Sequence, residues 1–126
     1  MNTWQLGLID SAWFGSEYEG LAGLEKAKGM GFDFLDLFIG YHPGVPGSRE
    51  RAATIANIGA VGLPVLSLVC TCLGLNDFNP SVRRYHIDRA KAVVDLGAEI
   101  GTVTNVLFVP GAYMFQRLLP PQRLAW

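Results

Sequence analysis

The sequence has no surplus of charge of either sign: ten Lys and Arg stand against eleven Asp and Glu, a formal net charge of −1. Without a basic excess there is no electrostatic footprint for nucleic acid or for an anionic membrane surface. Long hydrophobic runs are also missing. The longest apolar stretches are interrupted by Gly, Pro, Asp or Asn before they reach the ~18–20 residues that a bilayer span needs. The N-terminus, MNTWQLGLIDS, has no basic n-region and carries an acidic residue where a signal peptide needs apolar ones, so secretion is not indicated. Cysteine is scarce. Cys70 and Cys72 are the only two, too close in extended chain to bridge comfortably and too few for the ~4 ligands of a structural zinc site. They read as small buried hydrophobes in a protein of the reducing cytoplasm. Neither GxGxxG nor GxxxxGK[ST] occurs, so no phosphate-cradling loop is expected, and the spacing of Ser, His and Asp supports no triad.

Half of the 126 residues are hydrophobic, enough to bury a core, and no linker or low-complexity stretch divides the chain; residues 1–126 read as one domain. The dominant pattern is a recurrence of helix, glycine, then strand. GLAGLEKAKGMG leads into FDFLDLFIG, SRERAATIANIGAVG into LPVLSLVCTCLG, and NPSVRRYHIDRAKAVVDLGAEIG into TVTNVLFVPG. Gly31, Gly62 and Gly101 stand where a helix needs a left-handed residue before the chain turns into a strand. Ser48 and Asn79 are placed as N-caps, the latter followed by Pro80.

Helical spacing gives each helix an apolar face: Leu21, Leu24 and Ala27; Ala52, Ile55 and Ala56; Ile87, Ala90 and Val94. The strands, Leu6–Ile9, Phe34–Ile39, Val65–Val69 and Val103–Val109, are near-continuous apolar runs, as in a parallel sheet buried on both faces. The order is therefore βαβαβαβ. An open doubly wound sheet and a (β/α)₈ barrel of ~250 residues both accept it. Pro120-Pro121 announce a fourth helix that the sequence carries for about one turn, which favours the N-terminal half of a barrel.

In parallel α/β folds the ligand site lies at the C-terminal ends of the strands. Asp10, Ser11 and Trp13 follow strand 1; Asp36 lies within strand 2, with Tyr41 and His42 after it; Cys70, Thr71 and Cys72 end strand 3; Pro110, Gly111 and Tyr113 follow strand 4. Carboxylates that accept hydroxyl hydrogen bonds beside aromatic rings suit a polyhydroxylated ligand. Asp10 equally suits a turn cap, and His42 an exposed loop histidine. Asp36 is expected to point into the mouth of the barrel rather than into the core. His86, within RRYHIDR, reads as part of a solvated outer face.

LGLIDSAWFG, then GLEKAKGMGFDFLDLF, then NPSVRRYHIDRAKAVVDLGAEIGTVTNVLFVPG with its trailing YMFQRLLPP resemble the sugar phosphate isomerase/epimerase superfamily over essentially the whole chain. These are xylose-isomerase-like TIM barrels that include ketose 3-epimerases, inosose-processing enzymes and a DNA-repair endonuclease branch. The resemblance implies an enzyme that shifts a proton next to a sugar carbonyl with the help of a divalent metal, Mn²⁺, Mg²⁺ or Co²⁺.

It also implies that the metal ligands and catalytic carboxylates come from strands five to eight, which this sequence does not contain. What it contains would be pocket wall. Ser11-Ala12-Trp13 resembles the family's first-strand segment, and Asp36 stands where relatives have Glu in GFD-x-x-E. Cys70 and Pro110-Gly111 stand at matching strand ends. Asp10, Ser11, Trp13, Asp36, His42, Cys70 and Tyr113 are accordingly the expected contacts of a sugar or sugar phosphate, with no catalytic or metal-binding residue in the chain itself. The balanced charge disfavours the DNA-acting branch.

A second expectation is a non-catalytic half-barrel, a binding or assembly module that forms homo-oligomers or takes up a complementary half through its open sheet edges. A complete flavodoxin-like domain is disfavoured because DSAWFGSEYEG has no phosphate-cradling pattern.

Overall fold

The computed structural model describes residues 4–39 and 48–108, with backbone alone at 106–108. The chain runs β1 (Gly7–Ile9), a 3₁₀ turn (Asp10–Trp13), α1 (Leu21–Gly29), β2 (Phe34–Ile39), α2 (Arg49–Val61), β3 (Val65–Thr71), α3 (Pro80–Ile100) and β4 (Thr104–Phe108). The expected fourth helix near Pro120-Pro121, together with Tyr41, His42, Pro110, Gly111 and Tyr113, lies outside the described residues.

Local chemistry sets the element boundaries. Gly31, Gly62 and Gly101 have φ of 88°, 69° and 83°, a region that residues with a Cβ enter only at a cost. The Gly62 and Gly101 amides donate to the carbonyls of Ile58 and Gly97 at 3.0 and 2.9 Å, which satisfies helix-end carbonyls that would otherwise lack a donor. At the other ends, Ser48 Oγ accepts from the Arg51 amide at 3.1 Å and Asn79 Oδ1 from the Ser81 amide at 2.9 Å.

The four strands are all parallel and lie in the order β1-β2-β3-β4, each beside its neighbour in sequence. A doubly wound sheet reverses its strand order at a switch point; the four described strands show no reversal. The helices form a single layer. Lys28 Nζ donates to the Val61 carbonyl at 2.6 Å, tying α1 to α2. Arg51 donates to the Ala92 carbonyl at 3.1 Å and pairs with Glu99 at 2.7 Å, tying α2 to α3.

Between that layer and the sheet lies the core. Leu35, Leu37 and Ile39 of β2 and Val65, Leu68 and Cys70 of β3 meet Leu24, Ala27, Val61, Ala90, Val93 and Leu96. The strands alternate, because β2 buries every second residue and leaves Phe34, Asp36 and Phe38 half-buried on the opposite face. The expected burial on both faces is thus met on the helix side; on the other side Phe14 packs against Phe38, and Ile9, Asp36, Ser67 and Thr104 stay half-buried or exposed. By register, Ile9, Asp36, Ser67 and Thr104 form one row across that open face. Leu66 is the extra residue where the β2–β3 register shifts between Leu35 and Asp36.

Two helix faces differ from the periodicity reading. In α2 the inward residues are Ile55, Ile58 and Val61, while Ala52 and Ala56 are exposed, because the larger side chains gain more by leaving water. In α3 the stripe is turned by one residue: Ala90, Val93 and Leu96 are buried, whereas Ile87 and Val94 are exposed. Gly97 explains the close fit at the end of α3. A Cβ there would sit 2.5 Å from Asn105 Oδ1 and 2.8 Å from Thr102 Oγ1, so a glycine that weakens the helix is what admits β4 beside it.

Candidate functional site

Asp10 is the first residue beyond β1, and its carboxylate fastens the loop to the next strand: Oδ1 accepts from the Phe38 amide at 2.7 Å. Burial pushes the carboxyl up to about 6, against the stabilising amides of Phe38, Ser11 and Asp10 itself. Such a group can donate or accept a hydrogen bond near neutral pH.

Two clefts meet at Asp10 and share Gly20. The larger, about 290 Å³, is lined by Asp10, Trp13, Phe14, Glu19 and Gly20. The smaller, about 80 Å³, is bounded by Asp10, Gly20, Leu24, Leu37, Thr54, Asn57 and Ile58.

The loop after the 3₁₀ turn is held by its own polar side chains. Ser16 Oγ donates to the Trp13 carbonyl at 2.6 Å and accepts from the Tyr18 amide at 3.1 Å, while Glu19 accepts from the Gly15 amide at 2.7 Å. Trp13 packs edge-on to Tyr18, with ring centroids 5.6 Å apart, and lies against Gly23 of α1, where a Cβ would collide with the indole. Lys26 Nζ sits 4.2 Å from the Tyr18 ring centroid and completes the stack. The indole is therefore largely committed to packing on α1, and its buried Nε1 has no hydrogen-bond partner among the described residues. Phe14 is the freer aromatic: it is 55 % exposed and touches Phe38 edge-on at 5.6 Å between centroids.

Of the residues expected from sequence, Asp10 and Trp13 share the larger cleft. Ser11 is half-buried in the 3₁₀ turn and lines neither cleft. Asp36 lies on the open sheet face, where it accepts a hydrogen bond from Ser67 Oγ at 2.5 Å; it too lines neither cleft. Cys70 is fully buried, because strand alternation turns its side chain toward the helices rather than toward a cleft. His42 and Tyr113 lie outside the described residues.

His86 departs from the outer-face reading. Its ring lies over Gly74, its Nδ1 is buried without a partner among the described residues, and burial, with Arg89 adding, pushes its pKa down against the pull of Asp77.

Sequence reasoning missed Phe14, Glu19, Thr54 and Asn57. Phe14 and Glu19 had a local signal, since they share the loop of Trp13. Thr54 and Asn57 had only their place among the apolar residues of α2, a signal that is meaningful once α2 is known to flank the β1 loop.

Among the described residues no group of three or more His, Cys, Asp or Glu side chains converges to hold a metal ion. No helix among them is long and apolar enough to cross a membrane. No protein-family model matches the chain, and no curated protein matches it significantly.

Proposed function

We propose that the chain is the substrate-pocket half of a sugar or sugar phosphate isomerase/epimerase, the first four βα units of a (β/α)₈ barrel. The observation that carries this reading is the sequential, all-parallel strand order with one helix layer, combined with a carboxyl, a second carboxylate and aromatic surface at the strand C-termini. The resemblance of the sequence to that superfamily adds the chemistry. In a barrel the open face with Ile9, Asp36, Ser67 and Thr104 becomes the interior, and the Asp36–Ser67 pair a polar layer within it.

In this role the residues of the chain bind and orient. The Asp10 carboxyl, held by backbone amides, exchanges hydrogen bonds with substrate hydroxyls, and Phe14 offers an apolar ring to the C–H face of a sugar. Proton transfer and any metal-assisted polarisation belong to groups outside this chain.

Two measurements on the purified 126-residue chain test the proposal. Titration with ketoses, followed by Trp fluorescence, is expected to give weak saturable binding that Phe14→Ala reduces; no binding of any ketose would refute the pocket. Incubation with Mn²⁺ and ketoses is expected to give no turnover; clear epimerisation would refute the division of labour.

A second reading has its own observation. β1 and β4 are the two edges of the described sheet and its non-helical face is only half-buried beyond the Phe14–Phe38 contact, so the same half-barrel could serve as an assembly module that pairs with a second copy. Sedimentation giving a well-behaved monomer that binds no apolar dye would count against that reading.

A further inference from the structure

We propose that Cys70 and Cys72 form a redox-active dithiol that closes to an intramolecular disulfide when a small two-electron oxidant such as hydrogen peroxide reaches it. Nothing in the proposed sugar site uses either thiol. The two sulfurs lie 3.6 Å apart, and both residues are fully buried. They face the same way because residues two apart along a strand share a face. A disulfide of ~2.05 Å requires the sulfurs to close by roughly 1.5 Å, which takes a shift of the backbone at the strand end as well as side-chain rotation.

The backbone sets the character of the bond. Two steps of extended chain separate Cα atoms by ~6.6 Å, near the ~6.8 Å upper end for disulfides. A bridge made there is strained, and strained bridges are the easily reduced, switchable kind rather than permanent staples. Its position gives the switch something to act on. Cys70 is the penultimate residue of β3 and Cys72 lies just beyond its end, so closure pinches the strand at the end of the sheet where α/β sites form.

Arg89 of α3 is the third member of the cluster. It is 5 % exposed, donates to the Ile39 carbonyl at 3.3 Å, and its guanidinium charge acts on the Cys72 thiol. The cation favours a Cys72 thiolate, but burial and the neighbouring Cys70 outweigh it and push the thiol up to about 11. Cys72 therefore rests as a thiol at neutral pH, and its part in the oxidation is slow and base-dependent.

One thiolate attacks a peroxide oxygen, the O–O bond breaks, and a sulfenic acid and hydroxide result. The second thiolate then attacks the sulfenic sulfur, the S–O bond breaks and the S–S bond forms. The balance is two thiols and one hydrogen peroxide to one disulfide and two waters, with two electrons passing from sulfur to oxygen. A dithiol reductant reverses it.

The test exposes the folded chain to hydrogen peroxide, quenches in denaturant with an alkylating reagent, and reads the peptide carrying both cysteines by mass spectrometry. The expected product has lost both alkylation sites together, is lighter than the dithiol by about 2 Da, and is restored by dithiothreitol. Its formation should speed up severalfold between pH 7 and 9, as the thiolate is the attacking form. Cys70→Ala and Cys72→Ala should each stop at a sulfenic acid trapped by dimedone. Direct passage of the wild type to sulfinic or sulfonic acid, disulfides between chains, or closure only at denaturant concentrations that unfold the chain would each overturn the proposal.

Discussion

Replacing Asp10 by Asn tests whether the site holds a carboxyl at the expense of fold stability. Burial raises the carboxyl from 3.8 to about 6 in the folded chain. Because the folded-state value is the higher one, the folded chain holds more protons than the unfolded chain between about pH 4 and 6. Stability therefore falls as pH rises through that window, and the full penalty for burying the charge is present above it. A rise of this size corresponds to roughly 3 kcal/mol at ~1.36 kcal/mol per pH unit, and partial exposure of Asp10 to water reduces the expected effect to about 1–3 kcal/mol.

Asn keeps the shape and an oxygen that can accept from the Phe38 amide, but it has no charge to desolvate. Asp10→Asn should thus stabilise the chain by about 1–3 kcal/mol at pH 8 and change it by less than ~0.5 kcal/mol at pH 3.5, where the native carboxyl is already neutral. Urea denaturation at pH 3.5, 5, 6.5 and 8, fitted with a common m-value, measures the difference. A variant that is less stable at pH 8, or a difference that does not change with pH, would refute the reasoning. The first result would mean that the carboxylate is stabilised by its amides more than it is penalised by burial.

Gly97→Ala should destabilise the chain by about 1–3 kcal/mol although alanine is the better helix former, because the added Cβ meets Asn105 and Thr102; chemical denaturation would show the sign directly. Phe14→Ala should weaken ketose binding while leaving the unfolding midpoint nearly unchanged, whereas Trp13→Ala should cost about 3 kcal/mol of stability through lost packing on Gly23 and Tyr18; paired titration and melting curves separate the two roles. Ser48→Ala should cost about 1 kcal/mol by removing the oxygen that accepts from the Arg51 amide, read by thermal unfolding.

Much of the fold is legible in the sequence because the signals are local. Gly31, Gly62 and Gly101 lie at the expected helix-to-strand joints with left-handed backbones, and Ser48 and Asn79 cap the helices they precede. The parallel, sequential sheet is consistent with the βαβ spacing, although spacing alone admitted a doubly wound order as well. The site is legible only in part. Asp10 and Trp13 meet in one cleft, but Ser11, Asp36 and Cys70 do not join them, since a residue's place near a strand end does not say which face its side chain takes.

Conformational preference therefore decided what the sequence determined by itself: where helices start and stop, which stretches are strands, and that the helices alternate with them. A cap needs only a neighbour three residues away, and a left-handed turn only the absence of a Cβ. The tertiary structure decided which stripe of α3 is buried, that Trp13 serves packing while Phe14 stays free, and that Gly97 is needed for fit. It also decided that two thiols touch beside a buried arginine. Each of these depends on atoms brought together from distant parts of the chain, and their packing, unlike a cap or a turn, has no signature within any single window of sequence.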